Sequence, residues 1–171
     1  MKLTKIAFLD RDGVINSSYY NGGYVGSLKY FKWVSGAIKA IKFLKDKKYK
    51  VVVVTNQSGV ARGYFKIKDV QKIHFFIKKI LKEYDSKIDA FYFCPFHKDG
   101  VLKRYKKNSV LRKPRIGMFR LAQKKWNIDK SNSFMIGDQK TDMKFAKRAG
   151  IKGYFFNESN LFKFVKKKIF N

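Results

Sequence analysis

Cysteine is nearly absent: the only one in 171 residues is Cys94, which excludes an internal disulfide and points to a reducing, cytoplasmic setting. No secretory signal opens the chain, since Lys2 and Lys5 lead straight into a short strand pattern. Long apolar runs are missing too. None approaches the ~20 residues a spanning helix needs, so no membrane insertion is expected. Low-complexity linkers, internal repeats and breaks in composition are likewise lacking, and residues 1–171 read as one domain. A chain of this length buries roughly 70% of its unfolded surface and needs no staple.

Acidic residues are scarce as well, with 12 Asp and Glu against 40 Lys and Arg for a formal charge of +28. Such a field attracts polyanions. Yet 33 of the 40 are Lys and 7 are Arg, spread over nearly every polar face. A nucleic-acid groove mixes in Arg and concentrates its charge. The expectation is therefore solvated lysines, no specific nucleic-acid partner, and a positive field that helps collect a small phosphorylated substrate.

What is present alternates strand and helix from end to end, which predicts an α/β, Rossmann-like parallel sheet with helices on both faces. The predicted strands are 3–9, 50–55, 88–94, 133–137 and 151–156. Val51-Val52-Val53-Val54 is a continuous apolar run suited to a strand covered on both sides. Ala37, Ile38, Ile41 and Leu44 recur at helical spacing, as do Ile73, Ile77, Ile80 and Leu81. Gly150 is placed to stop a helix carrying Met143, Ala146 and Ala149. In the tail, Leu161, Phe162, Val165 and Ile169 share one face. Segments 14–34 and 95–113 lack periodicity and follow strands. Because ligands of open parallel sheets bind beyond the strands' carboxyl ends, these loops are the expected walls of a site. Neither is long enough for a large folded cap.

The chemistry sits at predicted strand ends. Asp10-Arg11-Asp12-Gly13 follows the run Ile6-Ala7-Phe8-Leu9. Residues two apart in extended chain project to one side, so two carboxylates border one space, where they can grip a hard cation while one attacks and the other moves a proton. Taken alone, this is also what a strand followed by an Asp-Gly turn looks like. Thr55-Asn56-Gln57-Ser58-Gly59 supplies short donors able to hold phosphate oxygens, or else forms a polar turn. Arg112-Lys113-Pro114 pairs a planar fork with a point charge, which could balance a phosphoryl group or simply lie on the surface. Phe134-Met135-Ile136-Gly137-Asp138 again delivers an acid from an apolar strand. Asp138 can complete a cation site with Asp10, and Asp142, one helical turn on, could orient it or bind through water.

In this order the segments resemble the haloacid dehalogenase superfamily of phosphohydrolases. Gly23-Tyr24-Val25, Thr55 to Gly63, Cys94-Pro95-Phe96-His97, Arg112 to Met118 and Gly137-Asp138 are similar, over nearly the full chain, to the D-glycero-D-manno-heptose 1,7-bisphosphate phosphatases. Histidinol-phosphate phosphatases are close relatives. The resemblance implies that Asp10 attacks phosphorus to give an aspartyl-phosphate and that Asp12 is the general acid and then the general base. It implies one Mg²⁺ on Asp10, Asp138 and the main-chain oxygen of Asp12. Thr55 and Lys113 would clamp phosphoryl oxygens, leaving Gly23, Tyr24, Asn56, Gln57, Ser58 and Arg112 for the rest of a phosphorylated sugar. The C7 phosphate of heptose bisphosphate is the expected target, with histidinol phosphate, a polynucleotide 3′-phosphate, or a non-enzymatic basic binding module as alternatives. A monomer is expected.

Two departures from that family stand out. Its members often hold a structural zinc with a Cys-x-His and a Cys-x-Cys pair. Here Cys94 and His97 remain, Phe96 takes the usual histidine spacing, and Ser109 and Leu111 stand where the second pair would be. Two ligands do not close a four-coordinate site, so no zinc is expected; either Val101, Leu102, Tyr105 and Leu111 pack the loop against the body or the loop is mobile when the site is empty. Gln139 replaces a frequent Lys after Gly-Asp, which leaves Lys113 as the better-supported cation. His74, in a helical pattern, reads as structural.

Overall fold

The computed structural model describes residues 2–18 and 21–171. Five strands, β1 (Ile6–Leu9), β2 (Lys50–Asn56), β3 (Ala90–Cys94), β4 (Phe134–Gly137) and β5 (Lys152–Phe155), pair in parallel in the order β3-β2-β1-β4-β5. The chain runs outward from β1 through β2 to β3, then returns to β1's other side with β4. Parallel register places Leu9 beside Val53 and Ile136, so the residues after β1, β2 and β4 emerge at one edge. That edge, at the point where strand order reverses, is where such sheets bind ligands.

Alternation along each strand divides the core into two layers. Ala7, Leu9, Val51, Val53 and Ile136 face α1 (Ala37–Asp46), α2 (Ile67–Glu83) and α5 (Leu161–Ile169). Ile6, Phe8, Val52, Val54 and Met135 face α3 (Gly117–Lys125) and α4 (Lys140–Ala149). Both faces being covered is why the central strands read as unbroken apolar runs. The five strands fall where the sequence predicts them, β1 starting three residues later than expected, at Ile6. Gly150 closes α4 with φ 72° and its N–H on the carbonyls of Ala146 and Lys147. Ile38 and Ile80, expected in the core, are only partly buried; Ala40 and Val70 are fully enclosed. The segments after β1 and β3 hold short 3-10 turns at Leu28–Tyr30 and Lys103–Tyr105, and no large cap among the described residues.

Two features of the packing are measurable. Phe8 is fully buried, with the rings of Phe119 and Phe145 at 5.4 and 6.4 Å. Phe8→Ala should cost about 3–5 kcal/mol, read as a lowered urea midpoint at unchanged slope. His74 of α2 stacks on Phe91 of β3 at 4.4 Å. Burial, reinforced by Arg11 and Lys78, pushes its pKa from 6.5 down to about 3. The ring is thus neutral when folded, while the unfolded chain takes up its proton first as pH falls. Stability from this group is complete above about pH 6.5 and is lost toward about pH 3, at up to ~1.4 kcal/mol per pH unit. His74→Gln should flatten the acid limb of the urea stability profile by that slope.

Candidate active site

Beyond β1 the backbone stays tied to β4, the Asp10 N–H donating to the Ile136 carbonyl at 3.0 Å. This holds Asp10 next to the residues that follow β4. One carboxylate oxygen from each of Asp10, Asp138 and Asp142 lies within 4.8 Å of the other two. Lys113 reaches in from the far loop, its Nζ 3.2 Å from Asp10 Oδ1 and 2.6 Å from Asp142 Oδ1. Lys113 and Asp142 are buried and Asp10 nearly so. Two glycines make the approach possible. A Cβ at Gly137 would overlap the Asp142 side chain, and one at Gly13, where φ is 86°, would overlap the Asp138 carboxylate.

Two of the three carboxylates, Asp10 and Asp142, thus share one ammonium. Burial pushes the Asp10 carboxyl up to about 8; Lys113 opposes the shift and Asp142, Asp138 and Asp12 add to it. The Asp138 carboxyl also rises through burial, against a hydrogen bond from Gln139. Burial would lower Lys113, but Asp10 and Asp142 outweigh it and raise it. Asp138 Oδ1 is buried without a hydrogen-bond partner, while Oδ2 accepts from Gln139 Nε2 at 3.2 Å. An all-oxygen donor set with surplus negative charge and an unpaired oxygen fits a hard divalent cation such as Mg²⁺.

Asp12 sits apart from this cluster. Its Oδ1 accepts from Asn16 Nδ2 at 2.9 Å and Arg11 Nε at 3.0 Å, and its Oδ2 from Gln57 Nε2 at 2.9 Å. Its carboxylate is thereby held by donors from three residues. Asp142, expected to orient Asp138 or bind through water, brings one of its oxygens within 4.8 Å of those of Asp10 and Asp138, and its Oδ2 accepts the Gln139 N–H at the start of α4.

A cavity of about 350 Å³ opens over these groups. Gly23, Tyr24, Asn56, Gln57, Ser58 and Arg112 all line it, so both aperiodic loops do supply walls. Of segment 14–34, residues 19 and 20 lie outside the described residues. Two of the residues expected at the site are engaged within the protein. Thr55 does not line the cavity; it is 1% exposed, and its hydroxyl accepts from Gln57 Nε2 at 3.0 Å. Asn56 spends its amide on Lys113, donating to its carbonyl at 3.2 Å and accepting from its N–H at 3.0 Å. Ser18 and Thr141 line the cavity without having been singled out. Neither lies in a motif, so only the fold identifies them.

The loop before Arg112 is held differently from expectation. Val101 and Leu102 are exposed rather than packed. Their N–H groups instead both donate to the Ala61 carbonyl, at 2.8 and 3.0 Å. Leu111 does pack against the core on the α3 side. Cys94 is buried, with its thiol 3.7 Å from the Phe96 carbonyl, and burial pushes the thiol pKa up. His97 Nδ1 accepts the Asp99 N–H at 3.1 Å.

Comparison with known proteins agrees with this geometry. Residues 5–162 match the family model described as polynucleotide kinase 3 phosphatase. The D-glycero-beta-D-manno-heptose-1,7-bisphosphate 7-phosphatase of Rhodopseudomonas palustris is 43% identical over 160 residues, covering 94% of this chain and 87% of the relative. Its namesake from Haemophilus ducreyi is 42% identical over 149 residues, covering 86% and 80%. Among solved structures, the D,D-heptose 1,7-bisphosphate phosphatase of B. bronchiseptica, complexed with magnesium and phosphate, superposes with a TM-score of 0.80 at 29% identity. It covers 94% of this chain and 84% of its own. From motifs, fold and relatives together, the chain belongs to the haloacid dehalogenase-like phosphatases, in the family of the heptose-1,7-bisphosphate 7-phosphatases.

Proposed function

We propose that this phosphatase removes the C7 phosphate of D-glycero-D-manno-heptose 1,7-bisphosphate through an aspartyl-phosphate on Asp10. The observation that carries the reading is the separation of two acids. Asp10 is packed with Asp138, Asp142 and Lys113, whereas Asp12 is set in a bed of donors from Arg11, Asn16 and Gln57. Different surroundings for neighbouring carboxylates are how one site runs a nucleophile and a proton carrier together.

In the first half, Asp10 attacks phosphorus, the bond from phosphorus to the C7 oxygen breaks, and Asp12 gives that oxygen its proton. In the second half, water loses a proton to Asp12 and attacks the acyl phosphate; the bond to Asp10 breaks and inorganic phosphate leaves. Lys113 holds the Asp10 carboxylate and offers positive charge to phosphoryl oxygens. Arg112, Ser58 and Tyr24 line the approach on which a sugar would lie. Asp10, Asp138 and the main-chain oxygen of Asp12, with Asp142 alongside, would hold Mg²⁺, which supplies charge neutralisation to the phosphoryl group. Structural zinc has no part in this reading, because Cys94 and His97 supply two ligands only.

The same reading takes residues 1–171 as one phosphatase domain, a monomer in the cytoplasm. Two helical layers on one sheet and a lone, buried Cys94 support it. No helix of the described residues is long and apolar enough to cross a membrane. A second reading, removal of phosphate from polynucleotide 3′ ends, is favoured by the matching family model and the +28 charge.

A phosphate-release panel decides among these. Heptose 1,7-bisphosphate should exceed histidinol phosphate and a 3′-phosphorylated oligonucleotide in kcat/KM by at least about tenfold, with EDTA abolishing and excess Mg²⁺ restoring turnover. A faster oligonucleotide reaction would install the second reading. Asp10→Asn should abolish turnover on every substrate, and the near-unchanged circular dichroism spectrum should show the fold intact. Near-normal activity in that variant would remove Asp10 as the nucleophile.

A further inference from the structure

Arg11 is fully buried, and it does not line the cavity. A buried guanidinium needs partners for its N–H groups, and each partner fixes the plane of the fork. Toward the site, Nε and Nη2 hold the Asp12 carboxylate, with Nη2 2.9 Å from Oδ1. Toward the substrate loop, Nη2 donates to the Val25 carbonyl at 2.7 Å, one residue past Tyr24 of the cavity wall. Nη2 also reaches Gln57 Oε1 at 3.3 Å, and Gln57 in turn donates to Asp12. On the remaining side stands His74, its Nε2 3.5 Å from Nη1.

His74 is suited to being a fixed acceptor. Its ring is clamped between elements, stacked on Phe91 at 4.4 Å and set edgewise to Phe93 at 5.8 Å. It is neutral, since burial and the adjacent Arg11 disfavour the imidazolium. A neutral imidazole that faces a guanidinium must offer it a lone pair, which puts its own proton on Nδ1.

We propose that His74 and Arg11 are positioning residues for the proton-transfer step: His74 sets the guanidinium plane of Arg11, and Arg11 sets the Asp12 carboxylate in register with the loop that carries Tyr24. The inference rests on the reading of Asp12 as general acid. It reaches from α2 across the end of the sheet to a group His74 never touches. Loosening it should damage the steps that need a well-aimed proton and spare those that do not.

Leaving groups separate the two. An alkyl ester departs poorly without a proton, whereas p-nitrophenolate departs without one. The readout is the ratio of kcat/KM for heptose 1,7-bisphosphate to that for p-nitrophenyl phosphate, measured on one preparation so that any inactive fraction cancels. His74→Leu should lower the ratio about tenfold, and His74→Gln, whose Oε1 can replace the Nε2 acceptor, should restore it to within about twofold of wild type. Arg11→Lys keeps the charge but loses the fork, and should lower the ratio at least as far. An unchanged ratio in Arg11→Lys overturns the proposal, whether or not His74→Leu folds. An unchanged ratio in a folded His74→Leu removes His74 from it. Asp12→Asn is the control: if wild type hydrolyses both esters but Asp12→Asn leaves the ratio alone, the general-acid reading has failed rather than the positioning one.

Discussion

The buried ammonium of Lys113, shared between Asp10 and Asp142, is the interaction on which the site depends. It joins three parts of the chain: the end of β1, the first turn of α4 and the loop before α3. Buried charges persist only when paired, and removing one partner of such a group leaves the others stranded at several kcal/mol. The neighbourhood is built around that constraint. Asn56, at the end of β2, grips the Lys113 main chain from both its N–H and its carbonyl, so the lysine's backbone is set by the sheet rather than by its own loop. Gly137 leaves room for Asp142 to come close. The ion group is therefore anchored to the sheet on three sides.

Lys113 alone does not balance its neighbours. Asp138 adds a third carboxylate with an oxygen left unpaired; burial first of all, and then the neighbouring carboxylates against Lys113, push the Asp10 carboxyl up to about 8. Asp12, two residues from Asp10, experiences the opposite environment of a guanidinium and two amides. Both acids line one cavity, yet the two carboxylates that the sequence places almost side by side are held by different partners. One faces a site short of positive charge and the other a set of neutral and cationic donors.

Much of this was legible in the sequence wherever the pattern was local. Apolar runs ending in Asp10 and Asp138 marked two central strands and their shared edge, and aperiodic loops after strands marked the walls. What escaped was pairing across distance. Nothing local to Asn56 says that its amide serves Lys113, 57 positions on. Thr55 is buried, and nothing local to it says that its hydroxyl accepts from the Gln57 amide. The loop of residues 95–113 looked as if Val101 and Leu102 should hold it, because apolar side chains were the visible resource. Their main-chain N–H groups hold it instead, both on Ala61, and such bonds leave no trace in side-chain identity. Arg11 hid inside the motif itself, as the residue between two acids that drew the attention.

The charge of the whole chain and the charge of the site have opposite signs. Around the cavity, Asp10, Asp12, Asp138 and Asp142 outnumber Arg112 and Lys113, although the protein carries +28. Scattered lysines set the long-range field, which draws phosphate esters toward the molecule from any direction but is screened within about 8 Å at physiological ionic strength. Inside that distance the four carboxylates govern, and they repel the same phosphate. The two demands are reconciled when a divalent cation occupies the carboxylate cluster and reverses the local sign. On this argument the lysine-rich surface carries little information about which phosphate ester is chosen. Discrimination falls to the uncharged and singly placed groups of the cavity, Tyr24, Ser58 and Arg112 among them, which lie where the remainder of a substrate must fit.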